Sequence, residues 1–265
     1  MSERSEYTPG EFCWVDLAVP DAEAAAQFYN ALIGWDWESA GPDAGGYGNF
    51  SYRGKLVAGL GPTQSAEQPP AWSSYIRVAS ADETAGAIKA AGGSVLMESF
   101  DVLDVGRMAV CHDPQGAFFS IWEPKTHQGA ELVNEVGSWT WNQLATTDVE
   151  AAERFYSQVF GWSLAKPELA PADGQYFNWQ LDGQRWDEGI GGAMPIEGNL
   201  PEGSPPFWIV NLAVESAGGA IETTKGAGGN ALTDVVETPV GKLAALMDPQ
   251  GAVFAIIEPD YPEAR

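Results

Sequence analysis

Histidine and cysteine, which act as nucleophiles, acid–base catalysts and metal ligands, are rare in this sequence. Its two histidines are His112 and His127, and its two cysteines are Cys13 and Cys111. Two thiols alone cannot form a disulfide framework or a cysteine zinc site, and both stand in strand-like apolar segments, as reduced, half-buried cysteines do. We expect His112 in a turn and His127 in a linker, so the sequence supports no Ser/His/Asp constellation.

The charge balance excludes several classes of partner. The chain has 13 Lys and Arg against 37 Asp and Glu, a formal net charge of −24. Such a surface repels phosphate backbones and anionic headgroups, so we expect no nucleic-acid and no membrane partner. No apolar run approaches the roughly 20 residues that span a bilayer, and the opening MSERSEYTPGEF lacks the apolar segment of a secretory signal. These features predict a cytoplasmic location.

The sequence repeats itself. Residues 10–37 and 137–164 are identical at 12 of 28 aligned positions, and residues 112–124 and 247–259 at nine of 13. Both copies carry Phe-Tyr, then Gly-Trp, and later DPQGA. The offset between the copies grows from 127 to 135 residues, so the second copy has the longer middle. We predict two tandem domains, joined by the polar segment around residues 126–135.

Each copy predicts the same order of elements. In the run from Cys13 to Val19, apolar residues alternate as in a half-buried strand. Asp21 is a good N-cap for a helix that Gly34 would end. Short strands follow, then a fifth strand, a second helix up to two glycines, and three final strands. The order is strand, helix and three strands, repeated twice per copy, although glycines in the last helix weaken its pattern.

This order, with its Phe-Tyr helix, Gly-Trp and DPQGA hairpin, resembles the vicinal oxygen chelate superfamily. The superfamily includes glyoxalase I, bleomycin-resistance proteins, fosfomycin-resistance enzymes and extradiol dioxygenases. The resemblance covers roughly residues 9–124 and 136–259. The segments SEYTPGEFCWVDL and LVNEVGSWTWNQL are also similar to a tandem actinobacterial subgroup that includes a mycobacterial culture-filtrate antigen. Members of that subgroup are often described as glyoxalases or hydroxylases.

The resemblance implies an α+β fold with two tandem domains, residues 1–128 and 136–265. Each domain would contain two βαβββ modules that form a cupped mixed sheet, with helices on the outside. In the family, the concave face of the cup holds the ligand. Fold alone does not assign an activity, because this architecture hosts many chemistries as well as simple binding.

Four positions in the family's cup usually carry metal-ligating His, Gln or Glu, where a divalent ion polarises a substrate oxygen or organises oxygen chemistry. The matching residues on the first, fifth and eighth strands are here Trp14, Ser73 and Ser120, then Trp141, Ile209 and Ala255. The fourth-strand segments KLVAGLG and GIGGAM contain no carboxylate or imidazole. Glu123 and Glu258 end the eighth strands, where alternation points them away from the cup. We therefore expect no metal ion and no other cofactor.

Strand alternation gives the side chains that line each cup. The first lining is aromatic and polar: Trp14, Asp16, Ser73, Tyr75, Arg77, Phe118, Ser120 and Trp122. The second is mostly aliphatic, and its candidate ligand-binding residues are Trp141, Gln143 and Asn211. An apolar, aromatic lining with a few polar groups is typical of a pocket for an organic molecule. Asp16 and Arg77 would either recognise a charged ligand group or pair with each other.

These patterns favour a protein similar to glyoxalases and bleomycin-resistance proteins, which binds a small aromatic or amphipathic molecule in a metal-free cup. A second hypothesis is an enzyme of the superfamily, either a lyase or isomerase of oxoaldehydes or a hydroxylase-like enzyme on a natural-product intermediate. No residue receives a catalytic role from the sequence. A third is an interaction module whose cups are filled by their own side chains. We expect a monomer or a weak homodimer.

Overall fold

The first half of the chain forms one eight-stranded mixed sheet. The computed structural model describes residues 2–167, 175–181 and 189–260. The strands of this first sheet are β1 (Phe12–Val19), β2 (Asp36–Ser39), β3 (Gly48–Tyr52), β4 (Lys55–Pro62), β5 (Ala71–Arg77), β6 (Ser94–Val102), β7 (Gly106–His112) and β8 (Phe118–Pro124). Its helices are α1 (Ala22–Ile33) and α2 (Ala81–Ala90).

The second half repeats this plan with one difference at its edge. Its strands are β9 (Trp139–Thr146), β10 (Trp162–Ala165), β11 (Phe177–Leu181), β12 (Gly191–Pro195), β13 (Phe207–Ala213), β14 (Asn230–Ala231), β15 (Val236–Thr238), β16 (Gly241–Met247) and β17 (Val253–Pro259). Its helices are α3 (Val149–Phe160) and α4 (Ala217–Gly226). The long edge strand β6 thus has two short counterparts, β14 and β15, which both pair with β16.

The strand orders are those of two βαβββ modules per sheet. They run β2-β3-β4-β1-β5-β8-β7-β6 in the first sheet and β10-β11-β12-β9-β13-β17-β16-β14 in the second. In the first sheet β1 runs parallel to β4 and antiparallel to β5, and β5 runs parallel to β8. The first and fifth strands therefore meet at the centre of each sheet. The α+β fold of tandem cupped sheets, predicted from the resemblance, is confirmed.

Helix boundaries follow from local capping chemistry. Asp21 and Asp148 accept hydrogen bonds from Ala24 N and Ala151 N at the starts of α1 and α3. Ser80 and Ser216 cap α2 and α4 in the same way. A short polar N-cap acceptor satisfies a backbone N–H that has no partner inside the helix, and replacing it costs about 1 kcal/mol. The weakly patterned α4 forms despite its glycines, because packing of Ala217 and Ala220 outweighs propensity.

The two sheets pack together through their helix-bearing faces. Val15, Leu17 and Val19 on β1 are fully buried on that face. Phe12 of the first sheet contacts Trp162 and Trp208 of the second, with ring centroids 5.4 and 5.0 Å apart. One continuous apolar cluster consequently spans both halves. The opposite face of each sheet carries Trp14 or Trp141.

Residues that recur in both halves bond across this interface in reciprocal pairs. Trp35 Nε1 donates to Gly137 O at 2.8 Å, and Trp162 Nε1 donates to Gly10 O at 2.9 Å. The Tyr29 hydroxyl donates to Asp248, and the Tyr156 hydroxyl to Asp113, at 3.3 and 3.2 Å. Together with the two glutamines of DPQGA, we call this set the clasp: Tyr29, Trp35, Asp113, Gln115, Tyr156, Trp162, Asp248 and Gln250.

The DPQGA glutamines complete the clasp at the helix starts of the opposite half. Gln115 Oε1 accepts from the Thr146 and Thr147 hydroxyls and from Asp148 N, while its Nε2 donates to Asp148 O. Within the described ranges, the Gln250 side chain makes two such bonds, to Asp21 N and O. The strongest sequence motif of this chain therefore joins its two halves.

The helices are all short. Within residues 2–167, 175–181 and 189–260, no helix combines the length and the hydropathy that crossing a lipid bilayer would require.

Candidate functional site

The side chains predicted to line the first cup do share one face of the first sheet. Trp14 is opposite Tyr75 and Asp16 opposite Ser73 in the β1–β5 register. The parallel β5–β8 pair then places Tyr75 beside Ser120, and Arg77 beside Trp122. We call this face, centred on β1, β4, β5 and β8, the first cup. The equivalent face of the second sheet, centred on β9, β12, β13 and β17, is the second cup.

A half-buried carboxyl group lies at the centre of the first cup. Asp16 Oδ2 accepts a hydrogen bond from the Tyr75 hydroxyl at 2.7 Å and a longer one from the Tyr47 hydroxyl at 3.4 Å. Desolvation raises the pKa of Asp16 to about 6, although both tyrosine hydroxyls act in the opposite direction. The site therefore holds a carboxyl group that exchanges protons near neutral pH, a property that is concentrated at functional sites.

Two residues that the strand pattern did not place here cover the floor of the first cup. Tyr47, from the loop between β2 and β3, also accepts a hydrogen bond from Trp14 Nε1 at 3.1 Å. The His127 ring packs edge-on against Trp14, with centroids 4.5 Å apart, and its carbonyl accepts from Trp122 Nε1. Burial lowers the pKa of His127 to about 4, so the imidazole is neutral at pH 7. The linker histidine thus lies inside the cup.

Because of this cover, the deepest aromatic side chains of the first cup are nearly inaccessible. Trp14, Tyr75 and Trp122 are only 4%, 7% and 5% exposed. A cavity of about 390 Å³ beside the linker is lined by His127 together with Arg4, Tyr7 and Lys55, among others. His127 therefore contributes both to this cavity and to the cover of Trp14.

Arg77 does not pair with Asp16. No ion pair joins Arg77 to a carboxylate among the residues that the structure describes, and its buried Nε has no hydrogen-bond partner there. A buried donor without a partner is costly and uncommon in folded proteins. Of the two roles expected for this pair, mutual neutralisation is excluded within the described ranges, which leaves the guanidinium for another acceptor.

The outer half of the first cup is an exposed apolar surface. The β7–β8 register sets Met108 opposite Trp122, and the β6–β7 register sets Phe100 opposite Met108, so these side chains share the face of the cup. Met97, Phe100 and Phe118 are 45%, 37% and 38% exposed. We call this surface the apolar wall: Met97, Phe100, Met108, Val110 and Phe118. The alternation pattern had identified only Phe118, because β6 contains two irregularities in its pairing.

The second cup keeps one feature of the first and loses the others. Trp141 Nε1 donates to the Tyr176 hydroxyl at 2.9 Å, just as Trp14 donates to Tyr47. Gln143 occupies the position of Asp16 and lies 3.0 Å from the Met194 sulfur, while Asn211 occupies that of Tyr75. Among the described residues, the second cup therefore has no titratable group equivalent to Asp16.

Glycines on the fourth strand of each sheet make room for these tyrosines. A Cβ at Gly59 would overlap the Tyr47 hydroxyl, and one at Gly192 would overlap the Tyr176 hydroxyl. Gly59 is also the β4 neighbour of Asp16. The glycine-rich fourth strands, which carry no metal-ligating side chain, are thus needed for the tryptophan–tyrosine pairs of both cups.

The donor set of the first cup does not fit the metal that the fold family implies. In the register Asp16 pairs with Gly59 and Ser73, and neither residue offers a second carboxylate or an imidazole. Across the described ranges, no group of three or more His, Cys, Asp or Glu side chains could hold an ion. Glu123 and Glu258 instead accept hydrogen bonds from Ala81 N and Ala217 N at the starts of α2 and α4.

Comparison with known proteins agrees with this architecture. The model of the glyoxalase-like domain matches the chain twice, at residues 14–122 and 141–257. "Putative glyoxylase CFP32" of Mycobacterium bovis is 37% identical over 98% of both chains. "Anthracycline biosynthesis protein DnrV" of Streptomyces peucetius is 35% identical, again over 98% of both.

Solved structures show the same fold at low sequence identity. The Mn(II)-bound glyoxalase of Novosphingobium aromaticivorans has a TM-score of 0.62 at 15% identity, covering 97% of this chain and 82% of that one. The 2,3-dioxygenase LapB of Pseudomonas sp. KL28 has a TM-score of 0.62 at 14% identity, covering 98% and 97%. At such identities these two structures support the fold alone. With two matched domains and relatives of similar length, the chain belongs to the glyoxalase-like family of the vicinal oxygen chelate superfamily.

Proposed function

We propose that the first cup binds a planar, amphipathic aromatic molecule without a metal ion. The observation that carries the proposal is the apolar wall, which continues on one sheet face into the polar centre formed by Asp16 and Tyr75. Such a surface suits a ligand with a flat apolar body and a few oxygen atoms at one end. Methionines on the wall adapt to ligands of irregular shape.

The relatives support a ligand of this kind. DnrV and its counterpart DauV are both named as anthracycline biosynthesis proteins, and both align over nearly the whole of this chain. Anthracyclines have a planar polycyclic aromatic body with oxygen substituents. The chain would accordingly sequester or present a natural-product intermediate, with the second cup serving a structural role.

Exposed wall residues offer a test that leaves the core intact. Phe100→Gln with Phe118→Gln removes two apolar contacts of the first cup, and the matched control is Val236→Gln with Val253→Gln in the second cup, where those valines are 53% and 38% exposed. Tryptophan fluorescence quenching by alizarin, a planar dihydroxyanthraquinone, would measure Kd. We expect the first pair to weaken binding by about tenfold or more, given roughly 1.5–3 kcal/mol per buried aromatic side chain, and the control pair to leave Kd unchanged.

Equal effects of the two pairs would contradict the assignment of binding to the first cup. The absence of quenching by every planar aromatic compound in a panel would contradict ligand binding altogether.

A second candidate function is favoured by the cover over the cup floor. Tyr47 already bonds to Trp14 Nε1, and His127 already packs against the Trp14 ring, so an interaction module would use the wall to contact another protein while its cup stays filled. In that case alizarin would not quench the tryptophan fluorescence of the protein, and the wall variants would change its affinity for a partner protein. The quenching experiment therefore separates the two functions.

A further inference from the structure

Asp16 differs from the other buried aspartates in the use of its oxygen atoms. In Asp113, Oδ1 accepts from Gln115 N and Ala117 N, and Oδ2 accepts from the Tyr156 hydroxyl. Asp248 is bonded in the same way in the other half. Both of their oxygens are therefore committed to the structure.

The carboxyl group of Asp16 is held through one oxygen only. Both tyrosine hydroxyls donate to Oδ2, and no donor among the described residues bonds to Oδ1. Asp16 is half-buried, so part of the residue remains accessible to solvent. No Lys, Arg or His of the described ranges forms an ion pair with it. A carboxylate that is oriented through one oxygen while the other is free has the arrangement of a general base.

We propose that Asp16 is the general base of a metal-independent proton transfer on a planar, enolisable carbonyl compound in the first cup. This inference rests on the proposed ligand binding and names its substrate class. Oδ1 takes a proton from the carbon next to the carbonyl group. The C–H electron pair then forms the C=C bond of an enolate, and the C=O π pair moves to oxygen. Return of the proton from Asp16 to that oxygen, or to another carbon, completes a tautomerisation that needs no oxidant or reductant.

The neighbouring groups of the cup fit this reaction. Tyr75 and Tyr47 are positioning residues, since their hydrogen bonds to Oδ2 orient the carboxylate and keep its pKa from rising further. Arg77, two residues along β5 from Tyr75, provides a guanidinium without a carboxylate partner in the described ranges, which suits a developing oxyanion. Gln143 and Asn211 at the equivalent positions provide neither a base nor a cation, so the reaction is assigned to the first cup alone.

Anthrone, a planar aromatic ketone with an activated CH₂ group, is a suitable probe. Proton NMR in D₂O buffer would follow the exchange of these hydrogens, with buffer alone and free acetate as references. We expect the full-length protein to accelerate exchange, with a rate that rises with pH and a midpoint near 6 as Asp16 ionises. Asp16→Asn should reduce the acceleration about 100-fold or more, as the loss of a general base does. Asp36→Asn, an exposed carboxyl on β2, is the matched control and should change nothing.

The Tyr75→Phe variant distinguishes a positioning role of Tyr75 from a merely structural one. Because the Tyr75 hydroxyl stabilises the carboxylate, its removal should shift the midpoint of the pH profile upward while leaving part of the rate. Tryptophan quenching by anthrone in the same samples reports binding separately. If anthrone quenches the fluorescence but its hydrogens exchange no faster with the unsubstituted protein than with Asp16→Asn, the general base is overturned and ligand binding still stands. Absence of both quenching and exchange would overturn both.

Discussion

The two halves of the chain are alike where they face each other and different where they face outward. Between the sheets, each half provides the same tryptophan, tyrosine, aspartate and glutamine to the clasp. On the outer faces, both halves have a tryptophan–tyrosine pair. At the positions of Asp16 and Tyr75, however, the second half has Gln143 and Asn211. The residues that recur in the sequence therefore mainly hold the halves together, and the residues that distinguish the halves lie in the cups.

The largest expected effect tests whether the two halves contribute equally to the stability of the interface between the sheets. Trp35→Ala and Trp162→Ala each remove a fully buried indole and a bond to the opposite half, so each should lower the free energy of unfolding by about 3–5 kcal/mol. Urea denaturation followed by circular dichroism would measure the loss. Similar losses in a single transition would support a symmetric interface, whereas a second transition in one variant only would show that the halves unfold separately.

The next effect tests the difference between the cups. Asp16 has a folded-state pKa near 6 against an ordinary value of 3.8, so the folded protein binds the proton more tightly than the unfolded chain. Its charge therefore costs up to about 3 kcal/mol above pH 6, and this cost is relieved as the pH falls toward 4. Asp16→Asn should raise the free energy of unfolding at pH 8, and its advantage should shrink by about 1.4 kcal/mol at pH 5.

Urea unfolding of both proteins at the two pH values would check this expectation. The pKa values of Asp113 and Asp248 are also raised by burial, but they are common to both proteins and cancel in the difference. Gln143→Glu in the second cup is the reverse experiment and should destabilise the protein at pH 8. A pH-independent difference between Asp16→Asn and the unsubstituted protein would show that the carboxyl group is not desolvated.

The smallest effect tests a residual asymmetry in the clasp. Gln115 makes four side-chain hydrogen bonds to the other half and Gln250 makes two. At about 0.5 kcal/mol for each such partly exposed bond, Gln115→Ala should cost about 2 kcal/mol and Gln250→Ala about 1 kcal/mol. Thermal unfolding of the two variants side by side would measure the ratio. Equal shifts in Tm would mean that the bonds to the Thr146 and Thr147 hydroxyls contribute nothing.

Much of the fold could be predicted from the sequence because its signals are local or repeated. The alternation of β1 placed Trp14 and Asp16 on one face, and the repeat revealed the tandem plan. Asp21 and Gly34 marked the ends of α1, where they cap it. Strand alternation on β5 was also sufficient to bring Tyr75 to the same face as Asp16.

The contacts that complete the first cup could not be predicted in this way. Tyr47 and His127 reach Trp14 from a loop and from the linker, where no periodicity constrains the direction of a side chain. The sequence also could not show that the Tyr29 hydroxyl bonds to Asp248 of the opposite half, because Asp113 of its own half is an equally good acceptor. Such choices depend on how the two sheets are placed against each other.

The covalent link between the halves has a consequence for how far the two cups can differ. If the same clasp joined two identical subunits, every substitution would appear in both cups at once. A carboxyl group that is costly to desolvate would then be introduced twice per molecule. On a single chain, the residues of the two cups are encoded separately, so Asp16 is present in one cup and Gln143 in the other. A single chain with two halves thus permits one costly carboxyl group for every two cups.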